Sequence, residues 1–190
     1  MLALGGRARR GMHVVITFAA VAAAATAATA APAAAAPAAG QSVQPGPPAV
    51  FSWGWNSHGE VGDGTTTPRA TPGPVLGLPS VHGLQVAAKQ IVSGEWAYAS
   101  AVLLTDGTVY AWGRNGAGEL GDGTTTDRTS PVLVPNLSGI TQIAQGDAHM
   151  LAAGTGGVVW AWGSNKDGQL GDGTTTGRKA RRGSRGFWPG

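Results

Sequence analysis

Between positions 49 and 178 the apolar residues come in short runs, each closed by glycine or by Asp-Gly. Ile91-Val92 runs out at Gly94, Ala101–Leu104 at Asp106-Gly107, and Val109–Trp112 at Gly113. The same order then returns, with Ile143-Ala144 before Gly146, Met150–Ala153 before Gly154, and Val158–Trp162 before Gly163. Runs this short, bounded by turn residues, read as β-strands joined by hairpins. About four such strands fall in each unit of roughly 50 residues.

The polar stretches between the strands repeat more closely still. Trp53–Arg69 reads WGWNSHGEVGDGTTTPR, Trp112–Arg128 reads WGRNGAGELGDGTTTDR and Trp162–Arg178 reads WGSNKDGQLGDGTTTGR. Trp, Gly, Asn, Gly, Gly, Asp, Gly, three Thr and Arg recur at identical offsets without a gap. The interval from the first motif to the second is nine residues longer than the next. The surplus is placed around Val81–Lys89, with two more residues before Asp106-Gly107, since insertions normally fall in loops.

Composition narrows the class. Segment 49–178 is rich in Gly, Thr and Trp and poor in Lys and Glu, which favours an all-β chain with many tight turns. Four-stranded units in tandem are the blades of a β-propeller. The expected fold is therefore a partial β-propeller of about two to three four-stranded blades, over residues 49–178. Identical positions belong to the scaffold. The tryptophans that open each motif are expected to fill the wedge between blades. Asn56, Asn115 and Asn165 are expected to hydrogen-bond turn backbone, and each Asp-Gly pair to make a tight turn.

The flanks read differently. Arg7, Arg9 and Arg10 precede the apolar run Val14–Phe18 and a long alanine stretch, with Ala28-Thr29-Ala30 as an A-x-A-like cleavage site. These are the parts of a secretory signal peptide over residues 1–30, so the expected localisation is extracellular. Residues 31–48, with five prolines, read as an extended Ala/Pro-rich linker. Residues 179–190, KARRGSRGFWPG, lack repeat character and read as a basic tail. A frameshift or truncation of the reading frame would account for the abrupt change.

Charge and chemistry mainly exclude. Of the 13 Lys and Arg, three lie in the leader and five from Arg178 onward, while all 10 acidic residues lie between. The body is thus net acidic, which does not support a nucleic-acid partner. There is no cysteine, hence no disulfide framework or thiolate metal site. His58, His82 and His149 have no second metal ligand beside them in sequence, and there is no nucleophile elbow. Gly116-x-Gly118-x-x-Gly121 fits a dinucleotide fingerprint, but Asp-Gly-Thr-Thr-Thr follows where a helix should begin. The Asp-Gly-Thr loops carry too few carboxylates for an EF-hand. The expectation is a non-enzymatic chain without cofactor or metal.

The W-G-x-N-x-x-G-x-L-G-D-G-T-T-T core, present three times over residues 51–178, resembles the regulator of chromosome condensation repeat family. The resemblance implies a seven-bladed β-propeller, of which this chain holds only part. Known members include a nuclear guanine-nucleotide exchange factor and secreted bacterial propellers, one of which inhibits β-lactamases. The expected function is protein–protein binding by a secreted repeat protein. A structural, surface-associated segment or a truncated non-functional fragment is the alternative; nucleotide exchange and an enzyme appendage rank below. Columns that vary between copies are free to face a partner, and Trp, Tyr and Arg dominate interface energetics. Trp55, Trp96, Tyr98 and Arg114 are the candidate protein-binding residues. Membrane insertion is not expected once the signal is removed. An incomplete ring leaves sheet edges open, which favours self-association.

Overall fold

The computed structural model describes residues 14–16, 50–81, 84–94 and 96–185. The apolar runs become antiparallel strands arranged in three sheets and one small hairpin. The first sheet joins β1 (Val14–Ile16), β2 (Phe51–Gly54) and β3 (Arg69–Pro74). The hairpin is β4 (Ser80–Val81) with β5 (Leu84–Gln85). The second sheet runs β6 (Ala88–Ser93), β7 (Ala99–Leu104), β8 (Val109–Gly113) and β9 (Arg128–Leu133) in sequence order. The third repeats it with β10 (Ile140–Gln145), β11 (His149–Gly154), β12 (Val158–Gly163) and β13 (Arg178–Arg185). Each four-stranded meander is one blade of a partial propeller.

β7 shows why these residues stay in the sheet. All six of its residues are buried. Side chains alternate along a strand, so Ala99, Ala101 and Leu103 pack toward the third blade with Ile140, Ile143, Met150 and Ala152. Val102 and Leu104 pack the other way, with Val50, Val75, Leu78 and Trp112. A strand covered on both faces needs a near-continuous apolar run, and Ala-Ser-Ala-Val-Leu-Leu supplies one, its single polar member Ser100 donating its hydroxyl to the Glu60 carbonyl at 3.3 Å. β11 is covered on one face only: Met150 and Ala152 are buried, while Leu151 and Ala153 are half-buried.

The ladder register locates the insertions. The β4–β5 hairpin, which starts at Ser80, overlaps the surplus expected at Val81–Lys89. The other two residues are not before Asp106-Gly107. Ser100 pairs with Trp112 and Met150 pairs with Trp162, so the two hairpins β7–β8 and β11–β12 match without a gap. The extra residues lie instead in the turn between Gly94 and Ala99, which carries Trp96. It follows that His149 aligns with Ala99 in the ladder, since Ala99 pairs with Gly113 and His149 with Gly163. His149 is half-buried, and its ring lies over Gly146.

Strand pairing also reaches beyond the aligned repeats. β13 continues to Arg185, seven residues past the Arg178 boundary drawn from the motifs. β1 falls within the stretch read as the apolar part of an export signal. It pairs with β2, the position that β7 and β11 hold against β8 and β12. Among the described residues no helix is long and apolar enough to cross a membrane.

Candidate rim site at the first blade junction

Each motif folds into the same turn, organised by its asparagine. Asn115 is fully buried. Its Oδ1 accepts the Leu120 amide at 3.0 Å, and its Nδ2 lies within donor reach of the Thr124 and Thr126 carbonyls and Asp122 Oδ1. Asn56 and Asn165 make the corresponding bonds to Val61, Thr65 and Thr67 and to Leu170, Thr174 and Thr176. The side chain thus satisfies backbone groups that the turn would otherwise leave unpaired.

The aspartate of each Asp-Gly pair does more than turn the chain. Asp122 accepts from the Thr124 amide and hydroxyl, at 2.8 and 2.7 Å, and from the Arg128 guanidinium at 2.7 Å. Burial alone would raise the Asp122 carboxyl. The Thr124, Arg128 and Asn115 bonds outweigh it and hold the group below its ordinary value. The same balance holds Asp63 down, through Thr65 and Arg69. At Asp172 the Thr174 and Arg178 bonds are the leading cause.

Neighbouring blades are joined through these turns. The Trp112 indole donates to the Glu60 carbonyl at 2.8 Å, and Trp162 donates to the Glu119 carbonyl at 2.9 Å. A Cβ on Gly59 would sit 2.5 Å from Thr129 Cα, and one on Gly118 would sit 2.4 Å from Lys179 Cα. The amides of Gly64 and Gly123 donate to the Thr129 and Lys179 carbonyls, at 2.9 and 3.1 Å. The Gln90 side chain clamps Ile143 across the second junction, donating to its carbonyl at 2.7 Å and accepting from its amide at 2.9 Å.

Glu119 is a residue that sequence reasoning missed. It is 2% exposed; its Oε2 accepts the Ala117 amide at 2.7 Å. Its Oε1 has no hydrogen-bond partner among the described residues, and Arg114 Nε stands 4.0 Å away. Burial pushes the carboxyl up, against the Ala117 amide and the Arg114 charge. The third motif has Gln169 here, whose Oε1 accepts the equivalent Asp167 amide at 3.0 Å. Glu119→Gln is therefore expected to stabilise the chain at neutral pH. Below the ordinary glutamate value both folded and unfolded chains hold the proton, and nothing is lost. As pH rises toward the elevated folded value, the native carboxyl resists ionising and stability falls. The gain from glutamine should shrink to nothing on acidification, read as the urea midpoint of both proteins across pH.

The variable columns meet at the junction of the first and second blades. Trp55 is 49% exposed and its indole donates to Ser57 Oγ at 2.7 Å. His58 Nδ1 lies 2.7 Å from Asp127 Oδ2, and Asp127 Oδ1 accepts the Asn115 amide at 2.8 Å. The Tyr98 ring tilts against His58 with centroids 5.8 Å apart. Tyr98 holds a left-handed φ of +48°, rare for an aromatic residue, and its carbonyl accepts the Arg114 amide at 2.7 Å. Trp96, 51% exposed, projects two residues before it on the lengthened turn. Of the four sequence candidates, Tyr98 and Arg114 are joined through backbone, and Trp55 belongs to the loop that carries His58. Among the described residues no hydrogen bond or ring contact links Trp55 to Trp96.

The next junction has none of this chemistry. The counterparts of His58 and Asp127 there are Ala117 and Gly177, and Ala148 takes the place of Tyr98. His58 and Asp127 both fall in variable columns; what the sequence hides is their pairing, because they lie 69 residues apart in different columns. Among the described residues no three His, Asp or Glu side chains gather into a metal site.

Comparison with known proteins agrees with this architecture. A sequence model of the "Regulator of chromosome condensation (RCC1) repeat" matches residues 49–96 and 106–153, and a second of the same description matches 88–119 and 140–169. The ultraviolet-B receptor UVR8 of Arabidopsis thaliana is 37% identical over 105 residues, covering 54% of this chain and 22% of that protein. Human E3 ubiquitin-protein ligase HERC2 is 34% identical over 107 residues, covering 54% of this chain and 2% of HERC2. Among solved structures, Prp20p from Saccharomyces cerevisiae, described with its binding properties to Gsp1p and histones, superposes with a TM-score of 0.61 at 22% identity. That match covers 70% of this chain and 33% of Prp20p. Human WBSCR16 gives 0.59 at 26% identity, over 72% and 34%. The chain therefore spans about a fifth of UVR8 and a third of each structural neighbour.

Proposed function

Because the chain belongs to the regulator of chromosome condensation repeat family, we propose that it is a non-enzymatic protein-binding module whose partner docks on the rim of the first blade junction. One observation carries this reading. Two junctions share one scaffold, yet only the first bears two half-exposed tryptophans, a strained tyrosine and a histidine–aspartate pair. Scaffold needs are identical at both, so the difference answers to something outside the fold. Rigid aromatic residues with polar tips are the usual anchors of protein interfaces. Protein binding is also what Prp20p is described as doing. The ligase activity of HERC2 does not transfer, since the match reaches 2% of that protein.

The test is capture by immobilised chain from medium in which the producing cells have grown. One protein should bind saturably, and Trp55→Ala with Trp96→Ala should weaken it at least about tenfold. Both side chains are half exposed, so the variant should keep its urea midpoint. Equal capture by the variant, or no specific capture at all, overturns the proposal.

We place the module outside the cell, on the strength of the arginine-led apolar leader and the Ala28-Thr29-Ala30 site. Mass spectrometry of the exported chain should find a new N-terminus near Ala30, so that β1 belongs to the first sheet only before cleavage. Chains that keep Met1 and stay within the cell would overturn export.

A further inference from the structure

Three of the four asparagines are buried in the motif turns, and Asn136 is the exposed one. It sits in the connection between β9 and β10, followed by Leu137 and Ser138. Asn-x-Ser, with x other than proline, is the acceptor pattern for N-linked glycosylation. No other asparagine of the chain has serine or threonine two residues on.

The fold presents this pattern as an acceptor needs it. Leu137 packs against the core between the second and third blades and pins the connection. Asn136 and Ser138 flank it, both exposed. Among the described residues neither the Asn136 side-chain amide nor the Ser138 hydroxyl makes a hydrogen bond.

The first blade shows what the scaffold itself requires here. Val75 donates its amide to the Val50 carbonyl at 3.0 Å, as Val134 does to the Val109 carbonyl at 2.9 Å, so Gly77 stands where Asn136 does. Both hold a left-handed backbone, with φ of +92° and +53°. Leu78 packs inward as Leu137 does. That backbone admits asparagine more readily than most residues, which accounts for Asn136 alone. It does not account for Ser138, where the first blade has the half-buried Pro79. Both ends of Gly-Leu-Pro must change to make one acceptor.

We propose that Asn136 carries an N-linked oligosaccharide. The proposal rests on the export reading, since export brings the chain to a membrane-bound transferase. The Asn136 amide nitrogen bonds to the anomeric carbon of an oligosaccharide held on a polyprenyl diphosphate. The bond from that carbon to the diphosphate oxygen breaks, and the lipid diphosphate leaves with the electron pair. The amide gives up one proton to the transferase, and nothing is oxidised or reduced. The sugar stands away from the rim. β8 reaches the rim before Arg114 and β9 leaves it at Arg128, so Asn136, beyond the end of β9, lies at the opposite end of the strands. Its surroundings are the hairpin turns at that end. A Cβ on Gly107 would lie 3.7 Å from the Ile140 carbonyl oxygen, and the Thr155 amide donates to the Gly139 carbonyl at 2.9 Å.

Peptide mapping by mass spectrometry tests it, on the full chain collected from the medium and from the producing cells. The exported wild type should carry a sugar increment on the Asn136 peptide. Peptide-N-glycanase should remove the increment and convert that asparagine to aspartate. Ser138→Ala keeps Asn136 and its backbone but should lose the increment, while Ser138→Thr should keep it. Asn136→Gly, which restores the first blade's residue, should lose it as well. An exported chain bare at Asn136, or an increment that survives Ser138→Ala or the glycanase, overturns the proposal and leaves export standing. A chain held in the cell with Met1 in place and Asn136 bare overturns export and the proposal together.

Discussion

Trp112→Ala is expected to destabilise the chain by about 3–5 kcal/mol, the largest effect of any single truncation. Trp112 is fully buried against Val50, Val75, Leu78, Val102 and Leu104, so its loss opens a cavity between two blades. It also strips the Glu60 carbonyl of its indole donor. Gly62 packs against the ring edge; a Cβ there would lie 2.7 Å from Nε1, and no neighbouring side chain replaces the lost surface. Equilibrium unfolding in urea reads the effect as a fall in midpoint of about 1 M or more. Trp112→Phe should fall between, keeping most of the volume but losing the donor. Exposed Trp55→Ala is the control and should move the midpoint little. A Trp112→Ala midpoint no lower than that control would contradict the interblade role.

The second largest effect is expected at Asn115, about 2–4 kcal/mol on truncation to alanine. Its amide reaches the Leu120 N–H and the Thr124 and Thr126 carbonyls from a site with no solvent access. Alanine takes this partner from all three, and the buried Leu120 amide bears most of the cost. Asn115→Asp separates shape from chemistry. It fits the space and keeps the acceptor, but cannot donate, and it puts a carboxylate where Nδ2 now lies 3.1 Å from Asp122 Oδ1. That like charge favours the protonated acid in the folded state. The aspartate variant should therefore regain stability as pH falls through the carboxylate range, while alanine should not. Urea midpoints of both variants at neutral and mildly acidic pH decide it; parallel pH curves would contradict the bonding pattern.

Repetition makes the scaffold readable from residue order alone. Three copies of Trp-Gly-x-Asn and Asp-Gly-Thr separate fixed positions from free ones, and the fixed ones supply the turn bonds and the interblade hydrogen bonds. Residues whose role depends on one junction are harder to see. Asp127 varies to Pro68 and Gly177 in the other copies, and its bond to His58 spans two motifs. Glu119 looks like an ordinary surface acid in a polar stretch, because nothing local signals that the next blade will cover it. The turn between Gly94 and Ala99 shows a different limit. Pairing of Ser100 with Trp112 fixes the insertion there, whereas matching residue types alone moves it past a strand. Lys179–Arg185 of β13 has no apolar alternation to announce a strand; backbone pairing with β12 draws it into the sheet.

Gly59 and Gly118 have a bearing on curvature. At each, the following strand passes so near that one methyl group could not be inserted without pushing the sheets apart. The spacing at the crossing fixes how far each sheet is rotated from the one before. Any array extended from these modules would inherit that angular step, so the circumference of a finished ring is written in two missing side chains.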